Sequence, residues 1–357
     1  MRVLFFTKIQ IIPRMKRLAL LFLLLASAIS TDAALVQLDY SYDAANGNFF
    51  GSNPTAKASL EAAARDLGNA ITGSLGAVTT DIYSGTNGST TATFDWKFNV
   101  NDPTTGTAVT VNTFTFAANA VTIAVGTRPL AGTTLGVGGP AGGGFSLGGS
   151  GFASQWVGAV AAAESASNAA MPRGGGPVIG TLTGTSTLGG TTANYTVRYG
   201  AMLGSLSFNS TSTFHYDSTT PVGAGENDFY SVALHELIHS IGFGTSDTWT
   251  SLHSGTTWTG PNVIALEGTG ANLVSADGGH IADSRMSTRI TDGTAQEAAM
   301  DPSLTVGTRK LLTQLDLAFL RDIGFTTVPE PTSGALCFGA GFVLVLARRR
   351  KVAAQFA

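Results

Sequence analysis

Hydrophobic and polar residues alternate along much of the first half of the chain, a pattern typical of β-strands with one buried face. The alternation covers residues 35–43, 77–85 and 91–100, and two further runs lie within 107–130. Residues 56–75 instead place apolar side chains three and four positions apart, which predicts a helix with one buried stripe. The first half of the chain is therefore expected to contain one helix among several strands.

The second half of the chain combines the same two patterns. Residues 154–171 are rich in alanine and predict a helix, whereas residues 176–216 are rich in strand-forming residues with glycine turns. Apolar residues three and four apart predict further helices at 227–244 and after Thr313, where T-x-x-D provides a capping pattern. Together these elements favour an α+β fold.

Residues 131–151 are dominated by glycine and are expected to form a flexible surface loop. They contain the sequence GFSLG (144–148), which matches the G-x-S-x-G pattern of serine hydrolases. A nucleophile elbow requires a strand before the serine and a helix after it, whereas glycine and loop residues flank this serine. A serine hydrolase that uses Ser146 is therefore kept as an alternative enzyme class.

The clearest chemical signature lies in the helix predicted at 227–244, which contains the sequence HELIH (235–239). Residues i and i+4 lie on the same face of a helix, so His235 and His239 can bind one cation together. Glu236 lies about 100° further round the helix, close to the cation without binding it. Zinc lowers the pKa of a bound water to near neutral, and an adjacent carboxylate can accept its proton. The pattern is typical of zinc metalloproteases.

A catalytic zinc site requires a third protein ligand, and the sequence offers three candidates downstream of the pair. These are Asp247, His253 and His280. Thr245 occupies the position of the third ligand in the short motif H-E-x-x-H-x-x-G-x-x-H, and a neutral hydroxyl is a poor zinc donor. Spacing alone leaves the choice among the three candidates open.

Three features follow the helix in order. Gly242 comes three residues after the HELIH sequence, the segment GGHIADSRMS (278–287) contains another histidine, and residues 297–325 contain a methionine and a helical pattern. This order resembles the leishmanolysin-like branch of the metzincin zinc proteases, in which an insertion separates the third histidine from the first two. The resemblance covers residues 227–325 and implies that His280 is the third zinc ligand.

The same resemblance implies that Met300 forms the turn beneath the metal, with Met286 as the other candidate, and that strand 205–209 lines the edge of the cleft. The implied architecture is zincin-like, with a mixed sheet over the active-site helix and a C-terminal helical subdomain. Independently of the resemblance, Asp283 and Arg285 lie near the third histidine in the sequence. They are candidates to contact its ring.

The distribution of charge argues against nucleic-acid binding. The chain of 357 residues has a net charge of −3, but nine of its 20 basic residues lie in the first 17 positions or at 348–351. The body between them has 11 basic residues against 23 acidic ones, whereas nucleic-acid binding needs a basic surface. The single cysteine, Cys337, lies near the C-terminus, which excludes a disulfide framework and thiol catalysis in the body.

Both ends of the chain have the features of export signals. Residues 1–34 combine a basic start with an apolar run, as in a secretory signal peptide, and Met15 is an alternative start. Residues 328–351 combine the sequence VPEP, an apolar run and a basic cluster, and this order resembles the PEP-CTERM sorting signal. That resemblance implies export in a Gram-negative-type bacterium, transient anchoring in the inner membrane and processing by an exosortase-type enzyme.

These observations predict a secreted or surface-exposed zinc-dependent endopeptidase with one catalytic domain at 35–327. In this hypothesis His235, His239 and His280 hold Zn²⁺, and Glu236 is the general base for the zinc-bound water that attacks a peptide or protein substrate. Besides the serine hydrolase, a non-catalytic exported protein with a structural zinc is the other alternative.

Overall fold

The computed structural model describes residues 35–329. The predicted signal peptide at 1–34 and residues 330–351 of the predicted sorting signal lie outside this range. The described residues form eight α-helices and sixteen strands, which confirms the α+β class. Within the same range, no helix combines the length and the apolar character that crossing a membrane requires.

A four-stranded mixed sheet lies next to the HELIH helix, α5 (Phe229–Ser240). Its strands, in spatial order, are β1 (Val36–Asp39), β5 (Val121–Arg128), β10 (Leu203–Asn209) and β6 (Gly136–Pro140). β1, β5 and β10 are parallel to one another, and β6 is antiparallel to β10. The prediction that residues 205–209 form an edge strand is wrong, because β10 is paired on both sides and β6 lies at the edge.

A second, antiparallel sheet is built around the long strand β3. Its strands are β2 (Ile82–Asn87), β3 (Thr90–Asn101), β4 (Ala108–Val111) and β7 (Gly142–Ser150), and a hairpin follows from β8 (Val178–Leu188) and β9 (Thr191–Gly200). The predicted alanine-rich helix is α4 (Trp156–Ala170), which packs on β2, β3 and β9. Aromatic side chains fill this part of the core: Phe94, Trp96, Phe145, Tyr195 and Tyr199.

The glycine-rich stretch at 131–151 contains β6 and β7, so the prediction of a flexible loop there is wrong. Five of its ten glycines lie where neighbouring atoms leave no room for a side chain: Gly136, Gly138, Gly143, Gly149 and Gly151. A Cβ on Gly138 would lie 2.4 Å from the carbonyl oxygen of Glu236, and a Cβ on Gly149 would lie 2.4 Å from the ring of Trp156. Close packing therefore overrides the low strand propensity of glycine.

Ser146 lies in the interior of β7 and is paired with Asp95 on β3. The strand continues beyond it to Ser150. The strand–turn–helix arrangement of a nucleophile elbow is therefore absent at this serine.

The helix predicted at 56–75 is α3 (Pro54–Ala70), and it follows two short helices, α1 (Ser41–Ala45) and α2 (Phe49–Ser52). Proline at the first position of α3 loses no hydrogen bond, since that N–H has no partner inside a helix. α3 packs on α5, where the hydroxyl of Tyr230 donates to the carboxylate of Asp66 at 2.7 Å. The HELIH helix thus packs on α3 as well as on the sheet.

The residues after α5 form a region rich in short elements. These are α6 (Asp247–Ser251), β13 (His253–Ser254), β14 (Thr257–Trp258), α7 (Pro261–Glu267), β15 (Met286–Thr288), β16 (Ala295–Glu297) and α8 (Gln314–Asp322). Two further short strands, β11 (Phe214–His215) and β12 (Asn227–Asp228), pair with each other just before α5. The capping box predicted at the start of α8 is present between Thr313 and Asp316. The region after α5 contains an aromatic cluster, formed by Phe243, Trp249, Trp258 and Phe319.

Candidate metal centre

The helix α5 is a rigid support for the HELIH residues. Asp228 caps its N-terminus, where the carboxylate accepts the backbone N–H of Ser231 at 3.0 Å. Arg309 forms a salt bridge with the same buried carboxylate at 2.7 Å. Eleven of the twelve residues of the helix are buried. Such close packing leaves its side chains little freedom to move.

The structure brings His235 and His239 of α5 together with His280, which lies on a loop far along the chain. The Nε2 atom of His239 lies 3.1 Å from the Nε2 atom of His235 and 3.1 Å from that of His280. All three ligand atoms lie within 4.8 Å of one another. These three side chains therefore form one group, which we call the histidine group.

The other ring nitrogen of each histidine faces an oxygen atom. The Nδ1 atoms of the two helix histidines lie 2.9 and 3.0 Å from the carbonyl oxygens of Ala299 and Phe243, respectively. The Nδ1 atom of His280 lies 2.9 Å from the carboxylate of Asp277. Since these oxygens only accept hydrogen bonds, each Nδ1 carries a proton, and the neutral form of each ring then has its lone pair on Nε2.

Burial keeps the two helix histidines uncharged. Desolvation lowers the pKa of His235 well below its ordinary value and lowers the pKa of His239 to about 4. Repulsion from the neighbouring imidazoles adds to the effect at both residues. The neutral imidazole is the form that binds a metal ion, so both rings are held ready to act as ligands.

The donor set of the histidine group fits a metal ion with the preferences of zinc. Three lone pairs that face one another repel, whereas a cation between them would be stabilised by all three. Tetrahedral coordination with Zn–N bonds of about 2.0–2.1 Å places the nitrogens about 3.3 Å apart. The two pairs that involve His239, at 3.1 Å, are close to that separation, and all three nitrogens lie within 4.8 Å of one another.

Glu236 lies beside the histidine group and against strand β6. It is only 8% exposed, and desolvation raises its pKa to about 8, while a hydrogen bond from the backbone N–H of Gly138 opposes the increase. A Cβ on Gly136 would lie 2.8 Å from the Cγ atom of Glu236. Because Gly136 and Gly138 have no side chains, Glu236 can pack directly against β6. A carboxyl group with a pKa near neutrality is suited to acid–base work.

Met300 lies in a buried turn next to the histidine group. The N–H of Asp301 donates to the carbonyl oxygen of Ala298 at 3.2 Å, which closes the turn. The carbonyl of Ala299 inside this turn is the one that faces the ring of His235. Met300 is completely buried, whereas Met286 is 55% exposed on β15. Of the two methionines suggested by the sequence, Met300 is therefore the one beside the site.

The start of α8 holds this turn in place. The buried carboxylate of Asp316 accepts the backbone N–H groups of Ala299 and Met300, each at 3.0 Å. The same carboxylate closes the capping box with Thr313 at 2.8 Å. One side chain thus joins the beginning of the last helix to the turn that orients His235.

Neither of the other two ligand candidates belongs to the histidine group. Asp247 is the first residue of α6, and His253 lies on the short strand β13 with its Nδ1 atom 3.2 Å from the carbonyl oxygen of Gly255. Among the candidates left open by spacing, only His280 reaches His235 and His239.

Asp277 contacts the ring of His280, and the predicted contacts of Asp283 and Arg285 with that ring are wrong. Asp283 accepts a hydrogen bond from Ser303 at 3.0 Å, and Arg285 pairs with Glu267, so neither contacts the ring. Asp277 lies three residues before His280, with two glycines between them. That spacing permits a tight loop, and it is the signal in the sequence that could have identified this contact.

Two glycines after α5 allow the loop that carries His280 to approach the helix. Gly242 and Gly244 have φ angles of +110° and +78°, which L-residues with side chains rarely adopt. A Cβ on Gly244 would lie 2.2 Å from the carbonyl oxygen of Gly279. The loop therefore packs directly on the backbone that ends the HELIH helix.

A cavity of about 740 Å³ opens beside the histidine group. His235, Glu236 and His280 form one side of it, and the other walls come from residues 133–136, from α5 and from residues 301–306. This volume lies in the range of ligand-binding pockets, about 300–1,000 Å³. The candidate metal centre is therefore accessible to a substrate.

No protein-family model, curated protein or solved structure matches this chain.

Proposed function

We propose that this protein is an exported zinc-dependent endopeptidase with a metzincin-type metal site. The observation that carries the proposal is the convergence of three imidazole nitrogens beside a buried carboxyl group, at the wall of an open cavity. Three histidines with one open position are a common ligand set of catalytic zinc. Hydrolysis of an amide bond is the chemistry that a helix-borne H-E-x-x-H sequence serves in zinc peptidases.

In this proposal His235, His239 and His280 hold the ion, and Met300 lies in the turn that supports the ring of His235. When bound, zinc supplies Lewis acidity that polarises a scissile carbonyl and lowers the pKa of a water molecule. Glu236 accepts the proton of the attacking water and delivers it to the leaving amine. Its burial against β6 fixes the carboxyl group at the wall of the cavity.

The open edge of the four-stranded sheet supports a peptide substrate rather than a small molecule. β6 is the edge strand, and Glu236 packs directly on its glycines. An extended peptide can add to such an edge through main-chain hydrogen bonds. Binding of this kind recognises the backbone rather than a chain terminus, which favours cleavage of internal bonds.

Export belongs to the same proposal. Residues 1–34 and 328–351 carry the sequence features of a secretory signal and of a PEP-CTERM sorting signal. The expected partner at the C-terminal tail is an exosortase-type processing enzyme, and the expected location is outside the cytoplasm, with transient attachment to the inner membrane.

The decisive experiment is Glu236→Gln in the full chain. The variant is expected to bind one zinc ion with near wild-type affinity, because the three histidines are intact. Its turnover of an unfolded protein substrate is expected to fall by at least about 100-fold, since general acid–base catalysis contributes factors of 10² to 10⁴. Zinc content by atomic emission and kcat by fluorescence measure the two effects.

Glu226→Gln is the matched control, because Glu226 pairs with His215 rather than with the histidine group. It is expected to retain wild-type turnover. Undiminished hydrolysis by Glu236→Gln would remove Glu236 from the mechanism. A wild-type protein that holds zinc tightly yet cleaves no peptide in a mixed library would instead support the structural-zinc alternative.

A further inference from the structure

His280 differs from the other two members of the histidine group in the charge of its partner. The Nδ1 atoms of His235 and His239 face neutral main-chain carbonyl groups at 2.9 and 3.0 Å. The Nδ1 atom of His280 lies 2.9 Å from the Oδ2 atom of Asp277, which is a carboxylate. One of the three imidazoles is therefore held by an anionic group.

Asp277 is itself held in place by the loop around it. Its Oδ1 atom accepts the backbone N–H of Gly279 at 2.8 Å, and the hydroxyl of Ser275 donates to the same atom. The main chain closes the loop, because the N–H of Ser275 donates to the carbonyl oxygen of His280 at 3.0 Å. The second carboxylate oxygen is thus directed at the imidazole.

The support that His280 receives from the rest of the protein is weaker than that of the helix histidines. It lies on a loop, and its side chain is 23% exposed, whereas His239 is carried by a helix and is buried. A side chain on a loop keeps more rotamer freedom unless a specific contact removes it. Among the described residues, Asp277 provides the hydrogen bond to the Nδ1 atom of this ring.

We propose that Asp277 is a positioning residue that orients His280 and thereby sets the metal affinity of the histidine group. This inference rests on the proposed function, since it assigns His280 as a ligand. A carboxylate that accepts the Nδ1 proton fixes the tautomer and direction of the ring and makes it a better donor to the metal. It also places a negative charge next to three neutral ligands and a divalent cation.

Loss of such a partner typically weakens metal binding by about 10- to 100-fold. The side chain of Asp277 is 53% exposed, so solvent reduces the contribution of its charge. The expected effect is therefore near the lower end of the range, about 10-fold.

The test uses Asp277→Asn and Asp277→Ala in the full chain, with Asp283→Asn as matched control. Asp277 and Asp283 lie three residues before and three residues after His280, and both are exposed. Asp283 hydrogen bonds to Ser303 instead of the ring, so its variant has the same change in net charge without the contact. The side-chain amide introduced by Asp277→Asn would offer only one acceptor oxygen, which cannot serve both the Gly279 N–H and the imidazole in the present arrangement.

Zinc affinity of the metal-free protein, measured by competition with a chromophoric chelator, is the primary measurement. Both Asp277 variants are expected to bind zinc about 10-fold more weakly, and Asp283→Asn is expected to bind as the wild type does. The visible absorption spectrum of the Co²⁺-loaded protein is the second measurement. It should change in the Asp277 variants, because the ligand field depends on how the third imidazole is oriented.

Unchanged zinc affinity and an unchanged cobalt spectrum in Asp277→Asn would overturn the positioning role. Equal weakening in Asp283→Asn would also overturn it, because the effect would then come from net charge alone. The proposed function fails differently: the wild-type protein would bind no stoichiometric zinc, or His280→Ala would leave its zinc affinity unchanged.

Discussion

The helix histidines and the loop histidine reach the same point by different physical routes. His235 and His239 are one helical turn apart, so the hydrogen bonds of α5 fix their relative positions. His280 reaches them only because the backbone after α5 lies against the loop at Gly279. The positions of the two helix histidines depend only on local hydrogen bonds, whereas the position of His280 depends on contacts between distant segments. We therefore expect substitutions outside the ligands to affect His280 far more than the helix pair.

The largest expected effect comes from removing the ligands themselves. His239→Ala and His280→Ala should each lower zinc affinity by at least about 100-fold, because each leaves the ion with only two protein ligands. His253→Ala is the control, since His253 lies outside the histidine group. Equilibrium dialysis with zinc measures the loss. Tight zinc binding in His280→Ala would show that the loop histidine takes no part in the centre.

An intermediate effect is expected from Gly244→Ala, which tests the contact between the helix end and the loop. The new Cβ would lie 2.2 Å from the carbonyl oxygen of Gly279, so the loop that carries His280 must move. Zinc affinity should fall by about 10-fold or more, as when a supporting contact of a ligand is lost. The φ angle of +78° adds about 1–2 kcal/mol of strain.

Gly268→Ala separates strain from displacement. Gly268 has a φ angle of +72°, and a Cβ there would meet no atom within 4 Å. Gly268→Ala should therefore lower the free energy of unfolding in urea by about the 1–2 kcal/mol that backbone strain costs. Its zinc affinity should not change. Equal loss of zinc affinity in both variants would show that general destabilisation, and not the position of the loop, controls metal binding.

The smallest expected effect is that of Trp249→Phe. The indole N–H of Trp249 donates to the carbonyl oxygen of Gly278 at 2.8 Å, inside the loop that carries His280. Phenylalanine keeps an aromatic ring but loses this hydrogen bond, which is worth about 1 kcal/mol. Zinc affinity should fall a few-fold in the same chelator competition assay.

Trp258→Phe is the matched comparison for that variant. Trp258 belongs to the same aromatic cluster, but its indole N–H donates to Asp322 rather than to the loop. The two variants should lose similar stability, and only Trp249→Phe should bind zinc more weakly. Identical zinc affinity in both would mean that the hydrogen bond to Gly278 does not position the third histidine.

Much of the secondary structure could be predicted because its signals are local. Periodic apolar residues predicted α3 and α5, and alanine content predicted α4, each within about five residues of the observed limits. The T-x-x-D pattern predicted the capping box of α8. The prediction of a loop at 131–151 was wrong because the strands there depend on contacts that are not local. Glycine has a low strand propensity, and the packing that makes it necessary in β6 and β7 involves residues far away in the chain.

The residues of the candidate site likewise include some that local spacing predicts and others that only tertiary contacts bring together. The positions of His235, Glu236 and His239 could be predicted, since a helix of known period carries all three. Spacing could not select His280 over Asp247 or His253, because no local period connects a residue on α5 to one on a distant loop. Asp277 was missed because the direction of its carboxylate depends on the fold of that loop.

The amino-acid sequence by itself determined the helix-borne part of this site, because the geometry of an α-helix converts a spacing of four residues into proximity. Only the tertiary structure decided which third residue completes the group, which strand lies at the edge of the sheet and which carboxylate holds the loop histidine. These features depend on contacts between segments that are distant in the chain. Such contacts are fixed by the packing of the whole molecule and leave no periodic pattern in the sequence.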